Sequence, residues 1–134
     1  MVLFDSSNAR LTFDPFTRLV RLEFFTFIKG DEFRRAHRAG HEAVTKKGAV
    51  GWVSLTEKLG ASDPEDEAWL MTELMPEAAR SGLRSVALVV GTRAVSKLAM
   101  SSLSKRLGEF ETRVVGTEAE ALTWLRERQK AHAA

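Results

Sequence analysis

Apolar and polar positions alternate from residue 9 to residue 25. Leu11 and Phe13 share one side of a short segment. Val20, Leu22 and Phe24 share one side of the next, with Arg21 and Glu23 on the other. A period of two predicts strands. Asp14-Pro15 between them is turn chemistry, since Pro fixes φ and Asp caps the bend. The segment is a hairpin, with residues 2–4 as an edge strand or a lead-in.

The period then changes. Gly30-Asp31-Glu32 opens a helix, its acids at the positive end of the helix dipole. Phe33, Ala36, Gly40, Ala43 and Val44 fall at helical spacing. This stripe of mostly small residues suits a helix lying close on a sheet. Lys46, Lys47 and Gly48 end it. Residues 50–55 (VGWVSL) read as a short apolar strand and 56–62 as a loop. Asp63-Pro64 starts a second helix, a carboxylate N-cap followed by Pro in the first turn. Its apolar face is Leu70, Met71, Leu74, Met75, Ala78 and Ala79. Pro76 predicts a kink or break near residues 73–75, because it lacks an amide donor and crowds the preceding turn. Gly82 ends the element. Residues 84–90 hold an unbroken apolar run, the mark of a central strand covered on both faces. Gly91-Thr92 leads into a third helix over 93–107, with Val95, Leu98, Ala99 and Leu103 inward. Residues 110–115 read as an edge or near-edge strand. Thr117-Glu118-Ala119-Glu120 is a capping box. It opens a last helix with Ala121, Leu122 and Leu125 inward and Trp124 flanking, frayed after Gln129.

The order is β-β-α-β-α-β-α-β-α. This is an α/β fold with a mixed, mostly parallel sheet, right-handed crossovers and four flanking helices. One domain spans residues 1–130, and residues 131–134 form a frayed tail. At 134 residues the chain buries enough surface to need no disulfide or metal staple. Hydrophobic residues make up 44% and charged residues 28%, a globular balance that argues against disorder. Cysteine is absent, which excludes thiol nucleophiles and cysteine zinc sites. The pattern holds no membrane span and no signal peptide, so a cytoplasmic protein without stable membrane insertion is expected. The formal charge is +2, without the basic stripe that nucleic-acid binding needs. Lys29, Arg34, Arg35, Arg38, Lys46 and Lys47 make residues 29–47 basic, whereas residues 57–77 are acidic apart from Lys58. These are either two solvated helix faces or a complementary pair used in association.

Catalytic signals are sparse. His37 and His41 have an i,i+4 spacing that can chelate a metal. No third ligand accompanies them, and Arg34, Arg35 and Arg38 would repel a cation, so no metal site is expected. Ser96, Ser101, Ser102 and Ser104 read as the polar face of a helix, without a nucleophile elbow. Glu57, Asp63 and Asp66 could supply a carboxylate pair but read as caps and solubilising charge. There is no glycine-rich phosphate loop, and no cofactor is expected. Ligands of open α/β sheets bind outside the carboxyl ends of the strands, here residues 55–58, 91–93 and 116–118. Thr92 and Arg93 at a helix start are the anion candidates on that rim. Trp52, Trp69, Trp124, Phe24 and Phe33 read as core. Phe25 and Phe27 either pack under the helix layer or form an exposed patch, a homodimer surface or the mouth of an apolar pocket.

Several segments together carry a resemblance: DPFTRLVRLEF, GDEFRRA, GWVSL, SDPEDEAWL, GLRSVALVV and TEAEALTWL. From about residue 9 to 127 the chain resembles an uncharacterised bacterial family of small proteins. That family is grouped with STAS domains (SpoIIAA-like, the anti-sigma-factor antagonists) and with CRAL-TRIO lipid-binding folds. The most specific parts are P-E-D-x-x-W-L at 64–70, the Pro76 to Gly82 spacing and E-A-L-x-W-L at 120–125. Two departures matter. The D-S-[ST]-G phosphorylation motif of the antagonists is absent, the region reading SLTEKLGASDP. The Asp that many relatives place at the end of that strand is Leu55 here. The resemblance implies a non-catalytic module that binds another protein, through the second helix and the loop before it: Thr56, Glu57, Lys58, Ser62 and Trp69. The alternative it implies is a small carrier of an apolar or acyl ligand.

Overall fold

The computed structural model describes residues 1–91 and 110–133. The helix expected over 93–107, with Thr92 and Arg93, lies outside the described residues. Six strands form one sheet: β1 (Val2–Asp5), β2 (Ala9–Asp14), β3 (Leu19–Phe24), β4 (Gly51–Leu55), β5 (Ser85–Val89) and β6 (Glu111–Val115). Their order in space is their order in the chain. The β1–β2 and β2–β3 pairs are antiparallel, and the β3–β4, β4–β5 and β5–β6 pairs are parallel. The expected lead-in is thus a paired edge strand, and β6 is the other edge.

The sheet is covered on both sides. Helix α1 (Asp31–Lys47) packs Phe33, Ala36, Ala43 and Val44 against Leu11, Val20, Leu22 and Phe24. Gly48 adopts the left-handed conformation that ends α1 and returns its amide to the Ala43 carbonyl. On the same face lies a second helical segment in three pieces: α2 (Pro64–Trp69), a π turn (Leu70–Leu74) and α3 (Met75–Arg80). Helix α4 (Glu118–Ala133) covers the other face, placing Ala121 and Leu125 on Val53, Ala87 and Val89. The alternation of β4 and β5 divides their side chains between two apolar layers, so β5 is buried along its whole length.

Two details differ from expectation. The break ahead of Pro76 takes the form of a π turn, where the Met75 amide reaches the Leu70 carbonyl. The turn before Pro76 widens where a regular helix would press the proline ring on a carbonyl. Helix α4 also continues past Gln129 to Ala133. Gln129 Nε2 donates to the Thr17 carbonyl, Arg128 meets Glu111 at 2.9 Å, and His132 pairs with the same carboxylate. These contacts tie the end of the helix to the β2–β3 turn and to β6.

Candidate functional site

The carboxyl rim of the parallel strands is built from the turn after β4 and the end of β5. Thr56 was expected at a contact surface, and the structure corrects this. Its amide and its hydroxyl both donate to the Val89 carbonyl, at 2.9 and 3.0 Å, and the residue is buried. Threonine here extends the β4–β5 ladder by one residue and offers no surface. Leu59, also buried, anchors the same turn. Glu57 and Lys58 between these anchors are exposed. The Glu57 carboxyl lies over Gly91, close enough that a Cβ there would stand 2.4 Å from its Cδ. Gly91 therefore has to be a glycine for Glu57 to fold across the rim. Further along, Glu118 in the first turn of α4 takes a two-pronged bond from Arg21, Nε to Oε2 at 2.5 Å and Nη2 to Oε1 at 3.0 Å. That bond holds the Glu118 carboxyl below its usual range.

The second part of the site is the seam between α1 and α2. Asp63 caps α2, its carboxylate accepting from the Glu65 amide at 3.1 Å. One helical step later Asp66 turns inward and is almost wholly buried. Its Oδ2 accepts from the Gly30 amide at 2.7 Å and its Oδ1 from Arg34 Nε at 3.3 Å. Gly30 precedes α1, so Asp66 supplies one of the acceptors that the amino end of that helix lacks. Trp69 is half-buried with two guanidiniums over its ring, Arg34 at 5.3 Å and Arg38 at 5.2 Å from the ring centre. Basic α1 and acidic α2 thus meet each other within one chain. Ser62 is half-buried just before this seam. Phe27 is 48% exposed on the stretch that Gly30 pins to α2, whereas Phe25 is half-buried and gives its amide to the Asn8 carbonyl.

Beneath the seam lies His37, which the spacing with His41 marks as a possible ligand. It is buried instead, 4.2 Å from the Phe33 ring and 6.0 Å from Trp52, centre to centre. Its Nδ1 donates to the Phe33 carbonyl at 2.8 Å. Burial pushes its pKa down to about 4, against smaller upward pulls from that carbonyl and from Asp66. A void of about 30 Å³ separates His37, Trp52 and Ser54 from Met71 and Met75 of the π turn and α3. Ligand pockets are of the order of 300–1,000 Å³, so this void is the size of a water molecule.

Of the rim and helix candidates, the structure leaves Glu57, Lys58 and Phe27 exposed and Ser62, Trp69 and Phe25 partly covered. Thr92 and Arg93 lie outside the described residues. Sequence reasoning read Asp66 as a cap or solubilising charge, whereas it is buried against a partner 36 positions away. Such reasoning missed Arg34 and Arg38 as a pair over Trp69, although their i,i+4 spacing on one helix face was a usable signal. No group of three metal-ligating side chains occurs among the described residues, and no helix there is long and apolar enough to cross a membrane. No family model, curated protein or solved structure matches this chain.

Proposed function

We propose that the chain is a non-catalytic, STAS-like interaction module that binds another protein through the α1–α2 seam and the adjoining rim. The observation that carries the reading is half-exposed Trp69 under the Arg34 and Arg38 guanidiniums, on a helix anchored by buried Asp66. Tryptophan and arginine are the residues most enriched among interface hot spots. A rigid anchor lowers the ordering cost of binding. Exposed Phe27 adds apolar area on the segment joined to α2, and Glu57 and Lys58 supply a polar border. The STAS-like part of the reading rests on the motif resemblance together with the α/β class of the fold.

The test is affinity capture from a lysate of the native cell, comparing the unsubstituted protein with a Lys58→Ala/Trp69→Ala double variant. Near-ultraviolet circular dichroism of both proteins controls for folding. Recovery of a partner by the unsubstituted protein and its loss by a folded double variant is the expected result. A folded double variant that keeps every partner would sink the reading.

A further inference from the structure

The opposite rim of the sheet, at the amino ends of β4 and β5, carries a cleft of about 530 Å³. That is the size of a small-molecule site. Three segments converge on it: the β2–β3 turn, the starts of β4 and β5, and the last turns of α4. Its apolar wall is Val50, Leu125 and Phe16. Phe16 is 96% exposed, so folding gives its ring nothing to pack against.

Two guanidiniums line the cleft, beside the polar groups of Thr17, Ser85 and Gln129 and the imidazole of His132. Arg18 and Arg84 line it, and no acidic side chain does so among the described residues. Arg18 is fixed in place. Its backbone is in the left-handed region, at φ 58. Its amide donates to the Asp14 carbonyl at 2.7 Å, its carbonyl accepts from the Val50 amide at 3.0 Å, and its Nε donates to the Gly48 carbonyl at 2.8 Å. Its two Nη groups have no partner among the described residues. Arg84 is exposed, and its guanidinium has neither an ion pair nor a hydrogen bond among the described residues. Ser85, next to Arg84 in the chain, also lines the cleft and is only 3% exposed. The alternation along β5 puts Ser85 on the α4 face with Ala87 and Val89, and its hydroxyl has no partner among the described residues. The His132 imidazole at the cleft edge meets Glu111, a carboxylate that Arg128 also holds.

We propose that this cleft binds a small carboxylic acid with an apolar body. The carboxylate lies between the Arg18 and Arg84 guanidiniums and accepts from the Ser85 hydroxyl. The apolar body lies on Val50 and Leu125 and is covered by Phe16. A monoanion suits two arginines in a cleft that no acidic side chain lines among the described residues, and guanidiniums match carboxylate geometry. The site shares no residue with the Trp69 seam, so either reading can fail without the other.

The probe is naphthoate, titrated into nitrogen-15-labelled protein and followed by amide chemical shifts. Naphthalenemethanol controls for the apolar body alone and acetate for the charge alone. Saturable shifts are expected at Thr17, Gly51 and Ser85, with both controls binding more weakly. Arg84→Ala should weaken naphthoate about tenfold or more, the loss of one charge-assisted contact. Among the described residues Arg84 hydrogen-bonds only through its backbone, so this variant keeps the spectrum of the folded protein. Phe16→Ala, also at an exposed position, should weaken naphthoate as well. The proposal is overturned by an absence of saturable shifts, by shifts centred elsewhere, by equal binding of naphthalenemethanol, or by an Arg84→Ala variant that binds as before.

Discussion

Gly40 and Trp52 meet where α1 lies over β4. A Cβ at position 40 would stand 2.1 Å from Trp52 Cη2 and 2.5 Å from Cζ3. The indole is not free to move aside, since its N–H donates to Ser54 Oγ at 2.9 Å and its face stacks on His37. Gly40→Ala should therefore destabilise the protein, by about 1–3 kcal/mol of overpacking. It should do so although alanine is the better helix former by ~1 kcal/mol. Urea unfolding measures the difference, and a more stable variant would show that the ring yields. The sequence places Gly40 in the inward small-residue stripe with Ala36 and Ala43, which is where it stands. What the stripe accommodates was not legible, because the tryptophan comes from another element twelve positions on. The same limit applies to Thr56. A threonine at a strand end reads as surface until the neighbouring strand supplies the Val89 carbonyl.

At the scale of elements, local rules served well wherever the chemistry is local. The Asp63 cap, the Gly48 stop on α1 and the Thr117 cap, which accepts from the Glu120 amide at 3.3 Å, all follow from residues within one turn. The break before Pro76 was legible for the same reason, though its π geometry was not. Docking of α2 on α1 was not legible, because it turns on one buried carboxylate in a run of acids. Asp66→Ala would leave the Gly30 amide without its acceptor and Arg34 without its ion partner. A loss of about 3 kcal/mol is expected, the range for breaking a buried charged contact. Asp66→Asn keeps an oxygen for the Gly30 amide and should lose less. Denaturant midpoints give both values, and Trp69 fluorescence reports whether the seam has opened. Equal midpoints for Asp66→Ala and the unsubstituted protein would mean that the apolar contacts of Leu70, Leu74 and Met75 hold the segment alone.

The molecule as a whole joins these elements into two apolar layers on one sheet, and the larger layer encloses a titratable group. His37 is held near pKa 4 by burial, whereas an unfolded histidine takes its proton near 6.5. Between those values the unfolded chain binds the proton and the folded chain does not. Stability from this site is thus complete above about pH 6.5, falls as the pH drops through the window, and is fully lost below about 4. The slope is at most ~1.4 kcal/mol per pH unit, so the window accounts for about 3 kcal/mol. Four surface carboxylates also have lowered pKa values: Glu32 through Ser6 and Asn8, Glu42 through Lys46, Glu111 through Arg128, and Glu118 through Arg21. Their contributions disappear only below the ordinary carboxylate pKa near 4.5, so the upper part of the window belongs to His37. Unfolding midpoints should drop between about pH 6.5 and 4.5 in the unsubstituted protein and stay level in His37→Leu. A variant with the same decline would place the linked proton on another group. A level response would show that His37, whose spacing with His41 suits a chelate that the sequence otherwise argues against, is a neutral ring on which the α1–β4 contact is packed.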